Sequence, residues 1–360
     1  PRADVAALTD SATLALLREI WRRGAAPVPS LAGLTTGSVE ALRAYLEGEQ
    51  ALARSEYDDA VSAFERAYAA DSTFHFALWR SLYPRVYEGT RLDTARYREM
   101  IEHRDGFPTP DRLLLESSLQ ASVSEALAAR RELTTEYPTY WPGWYSLADI
   151  LVHAAPYLGT SLDEARAALE RTVALNPDFA SAWEHLLWAG VYQRDTALAI
   201  RAMAELERFG GPGAFKMNPD LLQYYRAVVH VLLNGGVFEE ERLAREADYI
   251  ARYSGGVPDL AFAQGLLDFD FPKAQVQLSE AVLERGPRRG IEASMWLGKG
   301  LGLAGRGAWD SALVAMDRWV GQSTGGSADE APDAGLVTYG LAVAAVRVGG
   351  ASPEEASARR

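Results

Sequence analysis

The stretch "YDDAVSAFERAYAADSTF", Tyr57 to Phe74, decides the fold. Ala60, Phe64 and Ala67 stand four and then three residues apart, so a small, a large and a small side chain share one helical face, and Asp71-Ser72 ends the helix. The same order returns as Ala165, Leu169 and Thr172 ahead of Pro177, and as Ala126, Arg130 and Leu133 ahead of Pro138. Late in the chain it reads Ala312, Met316 and Trp319.

A second kind of helix precedes these. After Pro138, Trp144, Leu147, Ala148 and Leu151 take i, i+3, i+4 and i+7 positions, and after Pro177 Trp183, Leu186, Leu187 and Gly190 repeat them. Trp296, Lys299, Gly300 and Leu303 keep the spacing with Lys299 as a polar departure. One helix of each kind, about 34 residues a pair, is the helix-turn-helix unit of a tetratricopeptide array. Small residues such as Gly48, Ala60 and Ala148 let antiparallel helices approach, while Phe64, Trp144 and Trp183 fill the gap to the next pair. Asn176 before Pro177 and Asn218 before Pro219 read as helix N-caps ahead of a proline at the first helical position.

The pattern places pairs at 40–71, 75–106, 107–138, 141–177, 180–211, 216–252, 258–286 and 291–321, with a last helix at 335–349. "HAAPYLGTS" is an insertion in the pair at 141–177, Gly235-Gly236 divides the pair at 216–252, and 258–286 is the least regular. Ala12 to Arg23 reads as a helix that caps the array, followed by a Pro/Gly/Ser-rich linker. The expectation is an all-α, right-handed superhelical solenoid of about eight antiparallel helix pairs over 37–350, with a cap and linker at 1–36 and a frayed or truncated tail at 351–360. Gln322 to Gly335 reads as a flexible loop. A non-repetitive helical domain is the alternative, and alternating strands bounded by hairpin turns are hard to find.

Composition narrows the function. The absence of cysteine excludes disulfides, thiolate catalysis and Cys-ligated metals. Forty-nine acidic against 36 basic residues give a formal charge of -13, a field that repels phosphate backbones, and no basic stripe interleaved with aromatics offsets it. Nucleic acid is therefore not an expected partner. No apolar run reaches the roughly 18 residues of a membrane span, so no membrane contact is expected of this segment. It begins at Pro1 without an initiator Met or a signal peptide, as a processed protein or a piece of a longer one would.

Chemistry-bearing motifs are sparse. The five histidines, His75, His103, His153, His185 and His230, fall one per region, no two are i and i+4, and HExxH is missing, so neither a metal site nor a cofactor is expected. Paired carboxylates such as Asp58-Asp59, Glu116 with Asp111, and the run Glu239 to Glu241 read as solvated helix faces or helix-start charges. No GxSxG occurs, and the glycines from Gly298 to Gly307 sit on a repeat helix, where close packing explains them better than phosphate binding. No catalytic residue is assigned, and a non-enzyme is expected.

Leading helices of stacked pairs line an inner surface. Positions one and five beyond the packing tryptophans nominate Tyr145, Asp149 and His153, then Glu184, Trp188 and Tyr192. Earlier repeats add Tyr45 and Glu49, then Trp79, Tyr83 and Tyr87, and a looser register adds Gln223 and His230. These residues predict an aromatic, acidic groove for a protein or peptide segment, neutral or basic, helical or extended.

The spacing resembles the tetratricopeptide repeat family over 40–320, most strongly at 41–79 and 141–206. Leu34 to Trp79, "LTTGSVEALRAYLEGEQALARSEYDDAVSAFERAYAADSTFHFALW", is similar to the repeat region that follows the membrane span in some bacterial transmembrane Ser/Thr protein kinases, and to a region of certain bacterial transcriptional regulators. That likeness implies an extracytoplasmic or periplasmic sensor or scaffold module. Without it the expected compartment is cytoplasmic. Neither an HRD-type loop nor DFG is present, so the segment is expected to lack kinase activity. A non-enzymatic interaction or sensory scaffold ranks first, a self-associating structural subunit second, and a glycan-processing or other enzyme on helical pairs third.

Overall fold

The structure, a computed structural model, describes residues 36–53, 56–87, 94–158, 161–209, 219–252, 266 and 269–323. The expected helices at 12–23 and 335–349, the linker, the tail and all but the start of the loop at 322–335 lie outside these residues. Among the described residues every regular element is a helix. In chain order they are α1 Val39–Ala53, α2 Tyr57–Ala70, α3 His75–Tyr87, α4 Thr94–Glu102, α5 Thr109–Ser118, α6 Val123–Glu136, α7 Trp141–Leu158 and α8 Leu162–Leu175. There follow α9 Ala180–Tyr192, α10 Thr196–Phe209, α11 Pro219–Leu233, α12 Glu240–Arg252, α13 Pro272–Leu283, α14 Arg289–Gly305 and α15 Trp309–Ser323. Successive helices pack as antiparallel neighbours, α1 on α2 and α7 on α8 early, α14 on α15 late. The "HAAPYLGTS" insertion begins inside α7, which runs on to Leu158, so part of it is extra helix and not loop.

The chain divides into two compact units, 1–189 with 204–216, and 190–203 with 217–360. In the first, Ala60, Phe64 and Ala67 are fully buried, and so are Ala165, Leu169 and Thr172. Gly48 explains how α1 and α2 come so close: a Cβ there would lie 2.6 Å from the Phe64 ring. At the matching large position of α6, Arg130 donates to the Ser146 carbonyl at 2.9 Å, turning a polar residue into a tie between α6 and α7.

Three turns of this unit are built alike. Asp71 N–H donates to Ala67, Tyr137 to Leu133 and Asn176 to Thr172; then Phe74 donates to Asp71, Tyr140 to Tyr137 and Phe179 to Asn176. The closing aromatics Phe74, Tyr140 and Phe179 are at most 1% exposed. Asn176 therefore closes α8 as its C-cap, and the expected N-cap role is not what the structure shows, because α9 starts only at Ala180. The tryptophans do more than fill space: Trp144 Nε1 donates to the Pro138 carbonyl at 3.0 Å and Trp183 Nε1 to that of Pro177 at 2.8 Å. Arg171 and Arg208 donate to the same two carbonyls from the helix that follows. Recurrence of one hydrogen-bond set is the structural form of the sequence period. The Tyr57 hydroxyl at the start of α2 meets the Ser181 hydroxyl at the start of α9, a contact that departs from strict neighbour-to-neighbour stacking.

In the second unit Gly235 and Gly236 divide α11 from α12 as the sequence predicts, and they do so in a left-handed turn, at φ 67° and 88°. A Cβ on Gly302 would come 2.9 Å from Val276 and 3.0 Å from the Pro272 carbonyl, and one on Gly305 3.2 Å from Pro272, so these two glycines serve close packing on α13, while Gly300 faces Met316 of α15 at 3.1 Å. The buried Glu246 carboxylate accepts from Gln223 at 2.8 and 2.9 Å and pairs with Arg242. No helix among the described residues is long and apolar enough to cross a membrane.

Candidate functional site

The nominated groove residues divide sharply by burial. Tyr45 is fully buried, with its ring 5.3 to 5.7 Å from those of Phe64, Phe74 and Phe76. Glu49, 6% exposed, takes two hydrogen bonds from Arg80, at 2.5 and 2.8 Å. Trp79 belongs to the same core, and Tyr145 is 1% exposed. These four pack the interior and offer no surface to a ligand, because the neighbouring pair covers the face that an isolated helix would present. Gln223 is committed to Glu246, and His230 lies beside Asn234. Tyr192, in the second unit, is 38% exposed with its ring 5.1 Å from Phe269. The side chains of Tyr83 and Tyr87 lie outside the described residues.

Asp149, His153, Glu184 and Trp188 behave differently. All four reach solvent, from α7 and α9, the leading helices of two consecutive pairs, and all lie in the first unit. Asp149 and His153 are one helical turn apart, and α9 brings His185 against them. His185 Nε2 lies 3.3 Å from His153 Nε2 and 3.5 Å from Asp149 Oδ1, and His153 Nε2 is 3.7 Å from Asp149 Oδ1. Trp188 stacks on the His185 ring at 4.9 Å, and His153 meets Trp188 edge-on at 5.6 Å. From below, Tyr145 supports His185 edge-on at 5.6 Å and Phe179 at 4.8 Å.

The protonation states follow from this geometry. His185 Nδ1 is 2.8 Å from the Ser181 carbonyl, which only accepts, so Nδ1 carries a proton and Nε2 faces the cluster. Burial pulls the His185 imidazole down, yet the hydrogen bond and charge of Asp149 outweigh it and hold His185 above its ordinary value. Burial likewise pushes Asp149 up, while His185 and then His153 hold it below the usual carboxylate range. His153 is lowered, chiefly by burial and against the pull of Asp149. The Glu184 charge acts on both histidines.

His185 is absent from the nominated positions although it completes the cluster. The i, i+4 pair here is an Asp and a His, not two histidines, and the third group lies on another helix. A second histidine pair also forms: His75 and His103 stack at 3.8 Å, with His75 Nε2 3.5 Å from Glu99. Four of the five histidines are thus brought together in twos. No protein-family model matches the chain, and no curated protein is significantly similar to it.

Proposed function

We propose that this chain is a non-enzymatic, tetratricopeptide-like interaction scaffold that docks a neutral or basic peptide segment on the face formed by Asp149, His153, Glu184 and Trp188. One observation carries the reading: these solvent-reaching acidic and aromatic side chains come from corresponding faces of two consecutive leading helices and meet in one patch. A carboxylate pair favours a cationic side chain, and an aromatic ring held by stacking offers rigid contact area at little entropic cost. The likeness of Leu34 to Trp79 to kinase extracytoplasmic repeats favours a sensory module, in which docking reports a partner to the rest of a larger protein.

Peptide arrays probed with the intact chain test this, followed by titration of the best binder. Neutral or basic segments should be retained, and Trp188→Ala or Glu184→Gln should weaken binding at least about tenfold with helicity unchanged. Preference for acidic C-termini, or undiminished binding by both variants, would overturn the reading.

A further inference from the structure

Three ligand atoms of Asp149, His153 and His185 form a nearly equilateral triangle with sides of 3.3, 3.5 and 3.7 Å. Such a triangle has its centre about 2 Å from every corner, the bond length zinc makes to imidazole nitrogen and carboxylate oxygen. We propose that Asp149 Oδ1, His153 Nε2 and His185 Nε2 bind a divalent first-row transition cation, zinc in the first instance.

Three further features fit that role. A ligating imidazole ordinarily donates its second ring N–H to a carbonyl, which fixes the tautomer and aims the lone pair. His185 does this to Ser181, and the Ser181 hydroxyl is itself held by Tyr57 from α2. The donor set, two imidazoles and one carboxylate, suits zinc, nickel or copper and not calcium or magnesium, which prefer all-oxygen shells. Finally, the His153 and Asp149 side chains are 56% and 37% exposed, so a fourth coordination position opens to solvent and to whatever docks there. A hydrogen bond between the two Nε2 atoms needs a proton on one of them, and ligation through both nitrogens requires that proton to pass to solvent or, on His153, to Nδ1. Glu184 adds negative charge at the histidines, and Arg130 adds positive charge at Asp149. The site stands independently of the docking reading, since no partner supplies a ligand.

Untagged, chelator-treated protein titrated with Zn²⁺ in a calorimeter provides the test. Wild type should bind one equivalent at this site. His153→Ala and Asp149→Asn, both at solvent-reaching positions, should lose at least about a hundredfold in affinity with unchanged circular dichroism. The ring resonances of His153 and His185 in the wild type should shift together as Zn²⁺ is added, a readout that needs no variant. Equal Zn²⁺ affinity and stoichiometry in wild type and His153→Ala, or histidine resonances that stay put, would overturn the proposal. Loss of peptide docking in Trp188→Ala would leave it intact, which separates the two readings.

Discussion

Arg80 is 1% exposed among hydrophobic neighbours, a position tolerable for a guanidinium only because Glu49 meets it with two hydrogen bonds. Asp111, in the first turn of α5 but not on the expected solvated face, is equally buried, held inside by Arg80 at 3.9 Å and by the Tyr140 hydroxyl, from which it accepts at 2.6 Å. Burial dominates at Asp111 and pushes its carboxyl from 3.8 up to about 7, against the opposing pull of Arg80 and Tyr140. With the folded value raised, its contribution is fully present below about pH 3.8 and is lost as pH rises through about 7. Asp111→Asn keeps the acceptor for Tyr140 and removes the titration. Urea unfolding of this variant should therefore lose a fall in stability of roughly 2–4 kcal/mol between those limits, flattening that part of the profile. A wild-type profile already flat from pH 4 to 7, or one rising with the same slope in both proteins, would contradict the assignment. Glu49 also shows how a residue read as a groove acid becomes a structural one: its register was legible, but Arg80, thirty-one residues on, was not legible as its partner.

The helix pairs were readable because each demands a small residue where two backbones approach and a large one where they part, and those demands recur at helical spacing. Gly48 is the most exacting instance, since an added Cβ meets the Phe64 ring at 2.6 Å and that ring is fully buried with nowhere to turn. Gly48→Ala should gain helix propensity of about 1 kcal/mol and lose more by overpacking, for a net destabilisation of about 1–2 kcal/mol. A lower urea midpoint at unchanged slope would show it; an equal or higher midpoint would mean that α1 and α2 are not in this contact. What spacing does not encode is cover. Tyr45, Trp79 and Tyr145 occupy the positions that point toward a common surface, yet the succeeding elements close over them, whereas Asp149 and His153, one and two turns beyond Tyr145, and Glu184 and Trp188 on α9 keep access to solvent. The candidate site was thus half visible: its rim could be read from periodicity, while His185, supplied by the next leading helix, required the packing of α9 on α7.

At the scale of the whole molecule, charge is the property that reaches beyond contact distance. A formal charge of -13 sets up a field that draws in cations and turns away polyanions over roughly a Debye length, about 8 Å at physiological salt. A basic partner should therefore be recruited by the field of the chain and retained by the local patch around Trp188, two contributions that separate kinetically. Stopped-flow association of a lysine-bearing peptide selected on the arrays should slow by about tenfold or more when salt rises from about 0.05 to 0.5 M. Its dissociation rate should change far less, since stacking on Trp188 is short-ranged, and Trp188→Ala should raise dissociation while leaving the salt slope of association unaltered. Double-stranded DNA added as competitor should displace nothing, because neutralising phosphates needs a basic stripe that the sequence lacks. An association rate indifferent to salt would remove the field as recruiter, and a salt effect confined to dissociation would place the charge recognition in the patch alone.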